Sequence, residues 1–256
     1  MQVEGKVAIV TGGGTGVGRE TSLLLARRGC HVAINYSRSK QEAEDTGHDV
    51  ESTGVRCVVV QADVADDGAC QRLVKQAVDR FGRLDILVNN AGTTEFIRHV
   101  DLESVSTEIW ERIFAVNVIG PFQCVRAAKQ ALTTARGEIV NVASTAGINA
   151  IGSSIPYCAS KAALINMTMS LARALAPHVR VNAVAPGFIT GRWLQNGLGP
   201  AYERVRTAVE RRVPLGRVCD PLDVAEAILG FIEGSDLVTG QTLICDGGMT
   251  LGSSEL

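Results

Sequence analysis

The stretch Thr11–Glu20, TGGGTGVGRE, decides the fold. It follows a short apolar run, Lys6–Val10 (KVAIV), and leads into RETSLLLARRGC, a helix-like segment with Gly29 placed as its stop. Strand, bare backbone and helix come in the order that an anionic ligand needs. Helix N-terminal N–H groups aim at the anion, and side chains on the loop would block its approach. Gly12, Gly16 and Gly18 give the spacing TGxxxGxG rather than GxGxxG, because position 19 is Arg where the common form has glycine. The alternative is a glycine-rich turn that holds nothing.

The alternation continues outward from this loop. HVAINY, RCVVVQADV, LDILVNNAG, GEIVNVAS, VRVNAVAPG and QTLICDGG read as further strands. Between them QEAEDTGHDVEST, ACQRLVKQAVDRF, STEIWERIFAVNVIGPFQCVRAAKQAL, YCASKAALINMTMSLARALAP and DPLDVAEAILGFI read as helices, the third bent near Gly120 and Pro121. Strand and helix alternate almost to the end, with no linker or repeat. This predicts one α/β domain over residues 1–256, a Rossmann-type doubly wound, mainly parallel seven-stranded sheet with helices on both faces in three layers. Residues 187–214, rich in Gly and Arg, read as an irregular connection long enough to be a lid over a substrate.

Composition narrows the function. The chain is 46% apolar and 4% aromatic, which suits a buried parallel sheet built from Val, Ile, Leu and Ala. A net charge of -2 argues against a nucleic-acid partner. No apolar run is long enough to span a membrane. The seven cysteines form no CxxC pair and no signal segment opens the chain, so a reduced, cytoplasmic protein is expected. The four histidines show no metal-ligand spacing, and no metal site is expected.

A carboxylate at the end of the second strand would bind a ribose 2′-hydroxyl and repel a 2′-phosphate. This chain has Asn35, Tyr36, Ser37, Arg38 and Lys40 there. Ser37 can donate to a phosphate oxygen and Arg38 can form a fork to it, so NADP(H) is preferred and NAD(H) remains possible. Alternatively, Arg38 is a solvated residue at a helix start.

Tyr157 and Lys161 are four apart on a helix and share one face. Bringing a phenol of pKa about 10 to neutrality takes about 4 kcal/mol. A cation at about 4 Å supplies about that much at an effective dielectric of 20. Such pairs also arise by chance, but the surroundings add weight. Ser144 lies just beyond a strand, at the carboxyl edge where open α/β sheets bind ligands, and Asn117 is a polar amide inside an apolar helix.

TGGGTGVG, NNAG, Asn117, Ser144, YCASK, AVAPG and TGQTLICDGG, in this order over nearly the whole chain, resemble the short-chain dehydrogenase/reductase family. The resemblance implies roles position by position. Tyr157 would protonate a substrate carbonyl oxygen, Lys161 would lower the Tyr157 pKa and bind the nicotinamide ribose, and Ser144 would hydrogen-bond the substrate oxygen. Asn117 would hold a water that relays protons to Lys161. Gly12, Gly14, Thr15, Gly16, Val17 and Gly18 would form the phosphate and ribose loop, and Ser37 and Arg38 would read the 2′-phosphate. Asp63 and Val64 would flank adenine, although Asp63 could also be a turn or cap residue. Asn90, Ala91 and Gly92 would line the cofactor cleft, with Asn89 holding adjacent strands together. Pro186, Gly187 and Ile189 would border the nicotinamide. The family commonly has Thr four residues after the Gly of the PG pair; here that position is Gly191, and Thr190 would substitute after a small shift.

EGKVAIVTGGG and VAINYSRS look most like 3-oxoacyl-[acyl-carrier-protein] reductases. The expected reaction is therefore NADP(H)-dependent interconversion of a carbonyl and a secondary alcohol on a small molecule. A sugar or polyol dehydrogenase on the same scaffold is the alternative, and a catalytically silent dinucleotide sensor is a third. A carrier-docking signal is weak, because Lys129 and Arg136 are followed by acidic Glu138. Arg204, Arg206, Arg211 and Arg212 could form a thioester-binding rim or a solvated helix face. The family resemblance implies a homotetramer, with Phe114, Phe122, Ile165 and Met169 as interface or core residues.

Overall fold

The alternation of apolar runs and amphipathic segments folds, in a computed structural model describing residues 1–252, as seven strands interleaved with helices. The strands are β1 (Val7–Val10), β2 (His31–Tyr36), β3 (Cys57–Gln61), β4 (Ile86–Asn89), β5 (Glu138–Val142), β6 (Arg180–Pro186) and β7 (Thr242–Cys245). They pair in the order β3-β2-β1-β4-β5-β6-β7. Every pairing among the described residues is parallel, so the sheet is wholly rather than mainly parallel.

The apolar strands are explained by burial on both faces. Along β1, Val7 and Ile9 join one core while Ala8 and Val10 join the other. The first core is closed by α3 (Asp67–Phe81), α5 (Gly120–Ala135) and α7 (Ile155–Leu175), with Leu73, Leu132 and Leu171 among its residues. The second is closed by α1 (Gly16–Arg27), α2 (Lys40–Glu51) and α10 (Pro221–Glu233), with Leu25, Val50 and Ile228. The three expected layers follow.

Two segments differ from expectation. The long helix does bend, but the bend is a π-helical turn over Ala115–Ile119, between α4 (Thr107–Phe114) and α5. Pro121 sits in the first turn of α5, directly after the π-turn. The connection at 187–214 is not irregular. It folds as α8 (Arg192–Leu198) and α9 (Tyr202–Glu210), joined by a tight turn at Gly199–Ala201. Tyr202 anchors it, 6% exposed and packed near Phe188. A short helix, α6 (Ala146–Asn149), lies between β5 and α7.

Candidate active site

The strand order reverses between β1 and β4, and a crevice opens there at the carboxyl ends of the strands. The glycine loop enters it from β1. Gly12 and Gly16 have φ of 60° and 51°, which only glycine adopts at little cost. Gly18 has a different reason: a methyl group there would overlap the Gly12 carbonyl oxygen and the Asn90 amide. Gly14 faces α2, where a methyl group would come within 2.6 Å of Ala43 Cα. Its requirement is helix packing as much as ligand approach. Thr15 begins α1 in an extended conformation without a side-chain cap, so the helix N-terminus is open to an anion beside Gly16 and Val17.

Residues that the sequence reading passed over hold this loop. Asn35 Oδ1 accepts from the Gly12 N–H at 3.2 Å, and its amide donates to the Ala62 carbonyl at 2.9 Å. The Gly13 N–H donates to the Asn35 carbonyl. A buried amide within the apolar strand HVAINY was the available signal, since such a group needs partners. Asn90 does more than line the cleft. It donates to the Thr11 and Gly12 carbonyls at 2.9 and 3.1 Å, clamping the β4 loop to the glycine loop. Ala91 N donates to the Thr11 hydroxyl. Asn89 donates to Asn141 Oδ1 at 2.9 Å and so joins β4 to β5, as expected.

Ser37 and Arg38 open onto a 400 Å³ pocket beyond the end of β2, lined also by Asp63, Asp66 and Arg72. Asp63 makes a turn to the Ala65 N–H, and Asp66 caps α3 by accepting from Ala69 N. Val64 turns away. Its side chain is 5% exposed in the first core, and Gly120 packs against it.

The candidate catalytic side chains converge at the other end of the crevice. Ser144 follows β5, and its hydroxyl accepts from Ala146 N at 3.1 Å. Ser154 caps α7 by accepting from Tyr157 N, and Pro156 lies in the first turn, so Tyr157 enters the site on a well-defined helix start. Burial pushes the Tyr157 phenol up to about 12, with the nearby Ser144 hydroxyl offsetting part of the rise. Lys161 is 4% exposed; burial pushes it down to about 8. Its Nζ donates to the Val142 carbonyl at 2.7 Å and lies 5.8 Å from the Tyr157 ring centre. Desolvation is the largest influence on the phenol, and Lys161 Nζ is turned to the backbone.

Asn117 is fully buried in the π-turn. It accepts from Thr93 N at 2.8 Å and donates to the Thr93 carbonyl and the Ser160 hydroxyl at 2.9 and 3.0 Å. The amide locks the loop after β4 onto α7. A methyl group on Gly92 would lie 3.5 Å from Asn117 Oδ1, 3.8 Å from Lys161 Nζ and 3.8 Å from the Trp193 ring. The glycine thus keeps open a space bounded by Asn117, Lys161 and α8.

At β6, the Pro186 carbonyl accepts from Thr145 N, and Gly187 packs against Asp246 where a methyl group would come within 2.7 Å. Ile189 bridges to Cys219. Thr190 donates its hydroxyl to Asp220 at 3.0 Å. That bond commits the side chain expected to substitute near the nicotinamide. α8 reaches back over the crevice, where Arg192 pairs with Glu42 of α2 at 2.7 Å. Glu138 does not oppose Lys129 and Arg136 at the surface. It is fully buried and paired with Arg180. Among the described residues there is no cluster of potential metal ligands and no helix long and apolar enough to cross a membrane.

A crevice of this topology, with an open glycine loop and a Ser–Tyr–Lys set at its carboxyl edge, defines a nucleotide-dependent oxidoreductase site. A family model described as Enoyl-(Acyl carrier protein) reductase matches residues 12–250. The chain belongs to the short-chain dehydrogenase/reductase family, whose members use nicotinamide dinucleotides to oxidise or reduce small molecules. It is 42% identical to the "Granaticin polyketide synthase putative ketoacyl reductase 2" of Streptomyces violaceoruber, with 97% of each chain covered. It is 36% identical to the 3-oxoacyl-[acyl-carrier-protein] reductase of Staphylococcus aureus over 95% of this chain and 98% of that one. Among solved structures it superposes with a TM-score of 0.90 on a putative short-chain dehydrogenase/reductase from Burkholderia xenovorans (35% identity, 96% and 98% covered). An NAD⁺-bound xylitol dehydrogenase gives a TM-score of 0.86 (29% identity, 97% and 100% covered).

Proposed function

We propose that this enzyme reduces a 3-oxoacyl thioester to the 3-hydroxyacyl thioester with NADPH. The observation that carries the reaction type is the meeting of Ser144, Tyr157 and Lys161 in the crevice that the glycine loop enters at its other end. The substrate class is supported by the ketoacyl and 3-oxoacyl reductases among its relatives. The residues fit the cofactor: the N-terminus of α1 is open, Gly16 has no neighbour that a methyl group would meet, and Gly92 preserves space beside Lys161. Gly12, Thr15, Gly16 and Val17 hold the diphosphate, Ser37 and Arg38 the 2′-phosphate, and Pro186, Gly187 and Ile189 border the nicotinamide. Bound there, the cofactor supplies hydride.

The chain's own part is proton delivery and charge stabilisation. With its phenol at about 12, Tyr157 carries its proton at neutral pH and donates it to the substrate oxygen as negative charge develops there. Ser144 donates a hydrogen bond to the same oxygen. Lys161, whose Nζ lies 5.8 Å from the Tyr157 ring centre, would hold the nicotinamide ribose and supply positive charge near the phenol. Asn117 keeps Thr93 and Ser160 in place beside it. α8 and α9 act as the substrate lid, with Arg192 strapped to Glu42. The enzyme assembles as a homotetramer through α5 and α7, where Phe122 and Met169 are 43% and 41% exposed.

A second reading is favoured by one observation, the likeness to xylitol dehydrogenase: oxidation of a polyol with NAD⁺. NADPH and NADH oxidation with a short 3-oxoacyl thioester decides between them. Turnover favouring NADPH is expected. Turnover only with polyols and NAD⁺ would overturn the proposal in favour of the second reading.

A further inference from the structure

The pocket beyond β2 contains a charge problem that Ser37 and Arg38 do not solve. Asp63 and Asp66 line it, so with Arg38 alone it would hold one guanidinium against two carboxylates. A 2′-phosphate brings close to two negative charges of its own. Such a pocket would disfavour the group it is meant to select. Arg72, one turn into α3, is the remaining charged residue of the lining and brings the balance to zero.

Arg72 is also available. Its neighbour Asp67 is taken by Arg126. Asp66 spends Oδ1 on capping α3. A methyl group built on Gly68 would lie 3.2 Å from Arg72 Nη1 and 3.3 Å from Asp66 Oδ1, so the two groups flank the same first turn of α3. They nevertheless make no ion pair, and among the described residues Arg72 has no carboxylate partner. An exposed guanidinium on the wall of the pocket that Arg38 also lines, with no carboxylate partner among the described residues, fits a phosphate oxygen.

We infer that Arg72 is a specificity-determining residue of this enzyme, forming with Ser37 and Arg38 the site that recognises the ribose 2′-phosphate of NADPH. The inference rests on the NADPH reading above. Its effect is selective, because NADH presents a hydroxyl where NADPH presents the dianion. Its second consequence concerns the carboxylates: Asp66 opposes the phosphate, and Asn would retain the helix cap without the charge.

Titration of NADPH, NADH and adenosine 2′-monophosphate against the full-length protein tests this without catalysis. Wild type should bind NADPH more tightly than NADH. Arg72→Ala should weaken NADPH and adenosine 2′-monophosphate by about tenfold, the size of one charge-assisted hydrogen bond, and change NADH by less than about twofold. Adding Asp66→Asn to Arg72→Ala should recover part of the loss. Arg72→Gln, which keeps part of the aliphatic stem and a polar end but not the charge, should reproduce the loss and guards against a folding artefact. If wild type prefers NADPH and both Arg72 variants keep that preference unchanged, the inference fails while the cofactor reading stands. If wild type shows no preference for NADPH, the cofactor reading fails and takes the inference with it. Equal losses for NADH and NADPH would mean that Arg72 supports the fold of the pocket, and would overturn its selective role.

Discussion

Tyr157 and Lys161 sit one helical turn apart on α7, and burial acts on them in opposite directions. It raises the phenol to about 12 and lowers the ammonium to about 8, in each case because it disfavours the charged form. Tyr157→Phe should leave NADPH binding intact and reduce turnover by at least about 100-fold, as expected for loss of a general acid. Steady-state kinetics with a separate binding titration checks both parts. Lys161 makes a stability prediction whose sign follows from linkage. Its folded value lies below its ordinary 10.5, so between about 8 and 10.5 the unfolded chain binds a proton that the folded chain does not. Stability contributed by this residue therefore rises with pH across that window, by at most about 3 kcal/mol. Below it the buried charge is a penalty. Lys161→Met should flatten the rise, read as the difference between wild-type and variant denaturation midpoints along the pH series. The helical spacing of the two residues was legible in YCASK. The orientation of Nζ toward the Val142 carbonyl was not, since that contact joins residues 19 apart in sequence.

At the scale of the element, the glycine loop separates two kinds of glycine that look alike in TGGGTGVGRE. Gly18 is required by its surroundings and Gly16 by its backbone. Gly18→Ala would drive a methyl group into the Gly12 carbonyl and the Asn90 amide, displacing the β1 and β4 loops together. Cofactor affinity should fall by at least about tenfold, an overpacking cost of about 1–3 kcal/mol. Gly16→Ala meets no protein atom, but its methyl group would enter the space left for the diphosphate, and the left-handed backbone costs in addition about 1–2 kcal/mol of stability. Thermal denaturation and NADPH titration on the two variants should show affinity lost in both; unchanged affinity in Gly16→Ala would show that this glycine does not face the cofactor. The bend in the long helix shows the limit of local reading. Gly120 and Pro121 pointed to the right place, but the π-turn one step earlier is what carries Asn117. Its partners Thr93 and Ser160 lie 24 and 43 residues away. Likewise Gly and Arg made 187–214 look irregular, whereas α8 and α9 are held by long-range contacts such as Arg192 with Glu42.

At the scale of the whole molecule, the proposed tetramer makes a separate claim. Of the four apolar residues named for it, Phe122 and Met169 remain substantially exposed in the single chain. Phe122→Asp should shift the sedimentation coefficient from that of a tetramer toward smaller species, while a wild type that sediments as a monomer would overturn the assembly. Alternation of strand and helix, the open glycine loop and the spacing of Tyr157 and Lys161 were determined by the sequence itself. Each follows from a local rule: hydrophobic period, the absence of side chains, and the rise of a helix. Only the tertiary structure decided that Arg72 shares a pocket with Arg38, that Asn35 holds the glycine loop, and that Thr190 is bound to Asp220. Those contacts join residues between 23 and 34 positions apart. Such pairs form because parallel strands bring distant loops to one edge, and no local periodicity records which loops will meet there.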